Sequence, residues 1–249
     1  MQKSLLIIHP EDSTTGFLDK IKNHLNGELT GLTHHYNVKP NEESHQNCLQ
    51  NISEHPENGL ILFMGHGRSN YLYGAKGKSF DNTFVSEDAK KEHPEDYFHK
   101  EEFITFDNID TFKKKKVFCL TCNSNGKIGI ESIKKGAKVF LGFGDLPTSI
   151  EELKEQGEKN KPGTSLASIE RVLKTEINYI IKKSITIGIK KNQNFEQLFE
   201  LIRFMTNQRI SYYLVDQKKV SERKLIANYL YDFKKGIVVY GNGKEKLIG

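Results

Sequence analysis

Leu60-Ile61-Leu62-Phe63-Met64 runs into Gly65-His66-Gly67, and Val117-Phe118-Cys119-Leu120-Thr121 runs into Cys122-Asn123-Ser124. Each is a short, uninterrupted apolar run bounded by turn residues, the pattern of a strand buried on both faces. Two such strands lying parallel and adjacent would bring their carboxyl ends to one edge of a sheet, where open α/β folds hold their sites. A thiol and an imidazole would then face each other across a cleft. Covalent acyl transfer needs at least that pair.

Outward from these two runs, strand and helix patterns alternate. Ser4 to His9 reads as a first strand, and Phe17, Ile21, His24 and Leu25 recur at helical spacing. Leu32 to Val38 reads as a second strand, and Cys48, Leu49 and Ile52 share a helix face that ends near Pro56 and Gly59. Strand three is Leu60 to Met64 and strand four Lys116 to Thr121. A short helix through Ile130 and Ile133 leads to a fifth strand, Gly136 to Phe143. Leu166, Ile169, Leu173, Ile177 and Ile180 mark an amphipathic helix, and Phe195, Leu198, Phe199, Ile202 and Met205 another. Ser221 is placed to cap a third, carrying Leu225, Ile226 and Leu230, before the apolar segment Gly236 to Gly241. Such alternation predicts a mostly parallel sheet with helices on both faces.

Two polar stretches interrupt it. Asn70 to Asp110 is too long for an ordinary connection and reads as an insertion, with Phe84-Val85-Ser86 and Phe103-Ile104-Thr105-Phe106 as small strands or turns. Glu155 to Gly163 reads as a mobile linker. The 249 residues suffice for one large domain or two small ones. With 36% hydrophobic and 28% charged residues the composition is that of a soluble protein. No apolar run approaches the roughly 18 residues of a membrane span. The opening segment, Met1 to Pro10, is too short for a secretory core, and three cysteines, an odd number, fit a reducing compartment. The expected location is the cytoplasm. The net charge of +5 is dispersed, so no nucleic-acid surface is expected. The densest basic run, Lys113 to Lys116, reads as a solvated strand entrance that discourages aggregation.

Cys122 needs a base at neutral pH, where a thiol of pKa about 8.5 is only a few per cent thiolate. His66 is the best-placed base. Gly67 lets its N–H approach a substrate carbonyl, and with the Cys122 N–H it would form an oxyanion hole. Taken singly, a strand-end cysteine is usually a small buried hydrophobe and a His-Gly pair usually a turn; their joint placement gives them weight. Cys48, on an apolar helix face, and Cys119, inside a strand, read as core. Cys119 and Cys122 have CxxC spacing, but no second pair completes a zinc set and redox motifs normally open a helix. A phosphatase loop would need arginine where Ile128 stands, and a P-loop glycine where Leu72 stands. His34, His35, His93 and His99 read as scattered surface residues. Pro10-Glu11-Asp12 supplies acid where a Rossmann turn would bind phosphate. No metal or cofactor is expected.

These residues resemble the caspase-like cysteine peptidases, and within them the bacterial CHAT type, related more distantly to gingipain, clostripain and separase. The likeness rests on small-His-Gly after one strand (Gly65-His66-Gly67), Thr-Cys-polar-small after the next (Thr121 to Ser124), and a Gly-Ala-hydrophobic strand (Gly136 to Gly142). A closing Tyr-Gly turn at Tyr240-Gly241 adds to it. The resemblance implies one domain over residues 1–249, a three-layer sandwich with a six-stranded sheet in the order 2-1-3-4-5-6. It implies Cys122 as nucleophile, His66 as acid and base, and Gly67 and Cys122 as oxyanion donors, and it names no third catalytic residue. Basic-specific relatives carry an acid two positions before the cysteine, whereas Leu120 stands here. Asp145 could line the specificity pocket, or be a solvated carboxylate or helix cap. The implied activity is that of a cysteine endopeptidase of bacterial defence or regulated cell death. Its implied partners are a dedicated protein substrate, such as a gasdermin-like pore former, and an upstream activator. The length leaves no room for a separate sensor, so control would lie in the 70–110 insertion, the 155–163 linker or a partner. A caspase-like module that only binds partners, its thiol unused, is the alternative.

Overall fold

The computed structural model describes residues 4–82, 86–148 and 166–249. Six strands form one sheet: β1 (Leu5–Pro10), β2 (Thr33–Val38), β3 (Leu60–Met64), β4 (Lys116–Leu120), β5 (Val139–Gly142) and β6 (Val238–Gly241). Their order is β2-β1-β3-β4-β5-β6, the order expected from the sequence. The first five are parallel and β6 pairs antiparallel with β5 at one edge.

The side-chain period of two divides the strands between two cores. On one face Leu5, Ile7, Leu60, Leu62, Phe118, Leu120 and Leu141 meet α1 (Asp19–Glu28), α6 (Leu166–Lys190), α7 (Phe195–Ser211) and α8 (Arg223–Lys235). On the other, Leu6, Ile8, Ile61, Phe63, Val117, Cys119 and Phe140 meet α2 (Glu42–Glu54), α5 (Lys127–Lys134) and the single turn Ile109–Phe112. Each of these Leu, Ile, Val and Phe side chains, fully withdrawn from water, contributes about 2 kcal/mol. The result is three layers, helix on sheet on helix. Among the described residues no helix is long and apolar enough to cross a membrane.

Local chemistry sets the helix ends. Asn41 accepts from the Ser44 N–H at 2.8 Å and opens α2. Asn194 and Gln197 form a reciprocal capping box on α7. Ser221 does not cap α8. That helix starts at Arg223, whose N–H bonds to the Val220 carbonyl at 3.3 Å, so a preceding backbone turn does the work of a cap. The basic run also departs from its reading. Lys113 and Lys114 are exposed, but Lys115 and Lys116 are buried. Lys115 donates to the Ser53 carbonyl at 2.8 Å and to the His55 carbonyl, neutralising the carboxyl end of α2, and Lys116 donates to the Lys246 carbonyl at 2.6 Å. Long aliphatic stems with carbonyl partners for their tips allow what a reading of charge alone excludes.

The 70–110 insertion is a folded ribbon in its described part. Leu72 bridges Gly67 and Ile104, and Lys76 bridges His99, all antiparallel. His45 on α2 pins it, donating from Nδ1 to the Asn41 carbonyl at 2.7 Å and accepting the Ala75 N–H on Nε2 at 3.0 Å. Two short helices, α3 (Glu87–Glu92) and α4 (Pro94–Tyr97), close it. Phe84-Val85 and the 155–163 linker lie outside the described residues.

Candidate active site

Parallel strands put all their carboxyl ends at one edge. The loops after β1, β3, β4 and β5 surround a cleft there of about 780 Å³, lined by Asp12, Thr14, His66, Gly67, Cys122, Asn123 and Asp145 together with Arg68, Ser69 and Asn70. Tyr73, Lys76 and His99 of the ribbon form a further wall. Every site residue read from the sequence is on this cleft.

The loops after β3 and β4 are fitted to each other. A Cβ on Gly67 would stand 2.5 Å from Thr121 Oγ1 and 3.1 Å from the Cys122 carbonyl oxygen, so only glycine permits the approach. Two residues on, Ser69 accepts the first amides of α5, Lys127 N–H on Oγ at 3.1 Å and Ile128 N–H on its carbonyl at 2.6 Å. The orphan donors that open the helix after Cys122 are thus satisfied from the loop that carries His66. The Gly67 N–H has no acceptor among the described residues.

Below Cys122 the turn is clamped. Asn123 has φ of +56°, a left-handed conformation that asparagine tolerates better than most residues. Its N–H bonds to the Gly144 carbonyl at 3.0 Å and its Nδ2 donates to Asp145 Oδ1 at 2.9 Å. The buried Ser124 hydroxyl reaches the Cys119 carbonyl at 2.8 Å and accepts the Phe143 N–H at 2.9 Å, tying β4 to β5. A Cβ on Gly142 would meet the Ser124 carbonyl oxygen at 2.5 Å, so β5 lies flush against the turn. The Cys122 thiol, half-buried, is directed toward the Leu146 carbonyl, 3.9 Å away. Burial pushes the Cys119 thiol up to about 12, which makes it inert at neutral pH. Cys48 is buried, with its thiol pushed up in the same way.

His66 is half-exposed and leans on two residues that the sequence reading did not reach. Its Nε2 lies 2.7 Å from Thr14 Oγ1 and 3.7 Å from Asp12 Oδ2. Thr14 in turn donates its hydroxyl and its N–H to Asp12 Oδ1, at 2.6 and 2.8 Å. Tyr73 meets the His66 ring edge-on with centroids 6.1 Å apart, and its hydroxyl accepts from Arg68 Nε at 2.7 Å. Burial and the Lys76 ammonium lower the pKa of His99 from the ordinary histidine value. Asp145 is exposed, spending one carboxylate oxygen on Asn123. Among the described residues no group of three or more His, Cys, Asp or Glu is placed to hold a metal ion.

No family model, curated protein or solved structure matches the chain.

Proposed function

We propose that this chain is a cysteine endopeptidase with a caspase-like, CHAT-type fold. The observation that carries the reading is the seat of Gly67 against Thr121 and Cys122, which sets the imidazole loop directly on the thiol loop at the carboxyl edge of the sheet. In the reaction, Cys122 Sγ adds to a peptide carbonyl carbon and the thiol proton passes to His66. The oxyanion takes hydrogen bonds from the N–H groups of Gly67 and Cys122, each donor of this kind being worth about 10²–10³ in rate. Collapse breaks the C–N bond while His66 gives its proton to the leaving amine. Water, deprotonated by His66, then cleaves the thioester and the proton returns to sulfur.

A cleft walled by several loops suits an extended protein segment. Asp145, which lines that cleft with one oxygen bound to Asn123, is proposed to meet the substrate, and Leu120, standing where basic-specific relatives carry an acid, argues against their preference. The substrate proposed is one dedicated cytoplasmic protein, such as a gasdermin-like pore former in a bacterial defence system, with an activator protein upstream. Incubation with a peptidyl chloromethyl ketone tests the chemistry. Labelling of Cys122 that is lost in His66→Ala supports the peptidase. Absence of labelling, with the fold intact by circular dichroism, leaves a caspase-like interaction module.

A further inference from the structure

We infer that Thr14, held by Asp12, fixes the tautomer of His66 and makes Nδ1 its basic nitrogen. The catalytic half of this inference rests on reading His66 as the base for Cys122. Two short contacts meet at one hydroxyl: Thr14 Oγ1 is 2.6 Å from Asp12 Oδ1 and 2.7 Å from His66 Nε2, and the Thr14 N–H reaches the same Asp12 oxygen at 2.8 Å. A hydroxyl carries one proton, and an ionised carboxylate only accepts. The Thr14 proton therefore goes to Asp12, and Oγ1 has only a lone pair to offer His66. Nε2 must carry the ring proton, and Nδ1 the lone pair.

The turn is built to keep that geometry. Thr15 donates its N–H and its hydroxyl to the Asp12 carbonyl, both at 3.1 Å, and Thr15 Oγ1 meets the buried His9 ring at 3.2 Å. When the thiol proton arrives on Nδ1 the ring becomes a cation, and Asp12 Oδ2 stands 3.7 Å from its Nε2. The Asp12 side chain is only 10% exposed while His66 is 40% exposed, so water screens that attraction from the imidazole side alone. Asp12 and Thr14 act through His66 and are positioning residues.

The test reads the ring itself. Nitrogen-15 NMR of the full chain, with the His66 signals identified by their loss in His66→Gln, should show a protonated, slowly exchanging Nε2 and a bare Nδ1. Thr14→Ser should keep both features, and Thr14→Val should lose the protected Nε2–H. In parallel, iodoacetamide alkylation of Cys122 at pH 7 should slow about tenfold in Thr14→Val, a fraction of what a general base supplies, and recover to within about twofold in Thr14→Ser. A proton on Nδ1 in the unsubstituted protein, readable whether or not the variants fold, overturns the inference. So does a Thr14→Val protein with unchanged ring signals and unchanged alkylation. If His66→Ala alkylates at the original rate, the peptidase reading and the catalytic half fall together, while the ring spectra still decide the tautomer.

Discussion

The two edges of the sheet carry titratable groups of opposite kinds. At the amino edge Lys115, Lys116 and His55 are buried, their tips or flanking carbonyls joined in hydrogen bonds. At the carboxyl edge Asp12, His66, Cys122 and Asp145 line an open cleft. At the amino edge burial lowers Lys116 to about 8, and burial together with the Lys115 charge lowers His55 to about 4. Perturbation there reflects a group enclosed by the protein. At the carboxyl edge the groups keep access to a space a substrate can enter, and access separates a site from a brace.

If that division holds, substitutions at one edge should cost reactivity and at the other stability. The largest effect expected is at Cys122. Cys122→Ala should abolish labelling by a peptidyl chloromethyl ketone, a loss of at least about 10³, while thermal unfolding stays within about 0.5 kcal/mol. A large loss of stability would make Cys122 a brace after all.

Acid probes the amino edge. Unfolded histidine takes a proton near pH 6.5 and folded His55 only near 4, so between these values the unfolded chain binds more protons. Stability is therefore full above pH 6.5 and falls as the pH drops toward 4, by up to about 3 kcal/mol for this one side chain. His35, lowered to about 4 by burial and the Lys22 charge, adds in the same direction. The fall in urea midpoint between pH 7 and pH 4.5 should be smaller in His55→Gln than in the parent; an equal fall would remove His55 from the account.

Gly67→Ala sits between the classes, because its Cβ would collide with Thr121 and displace the N–H proposed as an oxyanion donor. Labelling should drop about 10²-fold and stability by about 1–3 kcal/mol. A change in stability alone would show that the N–H of Gly67 does not serve the oxyanion. The smallest effect expected is Lys115→Met, which loses the cation at the end of α2 for about 1 kcal/mol and should leave labelling unchanged. Chemical denaturation checks the first part and the ketone assay the second.

What could be read from the sequence follows the range of the interaction. Leu60 to Met64 and Val117 to Leu120 announce themselves because continuous apolar character is local. Parallel order then places His66 and Cys122 on one edge. Asp12 and Thr14 could not be reached in that way, since Thr14 meets His66 across 52 positions and no periodicity links them. Asp12 entered only as an acid unsuited to phosphate; its position just past β1, at the edge shared with β3, was the available clue. Lys115 and Lys116 were misread because the carbonyls that receive them lie 60 or more residues away. Of the ribbon only the Phe103 to Phe106 piece, which carries the Ile104 bridge, is legible, because single bridges at Leu72 and Lys76 are too short to leave an alternating pattern.

The order in which the chain supplies its layers bears on synthesis. Every residue lining the cleft lies between Asp12 and Asp145, whereas three of the four helices covering one face of the sheet follow from Leu166 onward. At about 5–20 residues per second, the ribosome exposes the sheet and its thiol several seconds before α8 is complete. For that interval Leu62, Phe118 and Leu141 are open to water, and the strand that will become the β6 edge does not yet exist. The nascent chain thus completes its cleft before it has a roof, and a chaperone that shields this face during translation would limit aggregation.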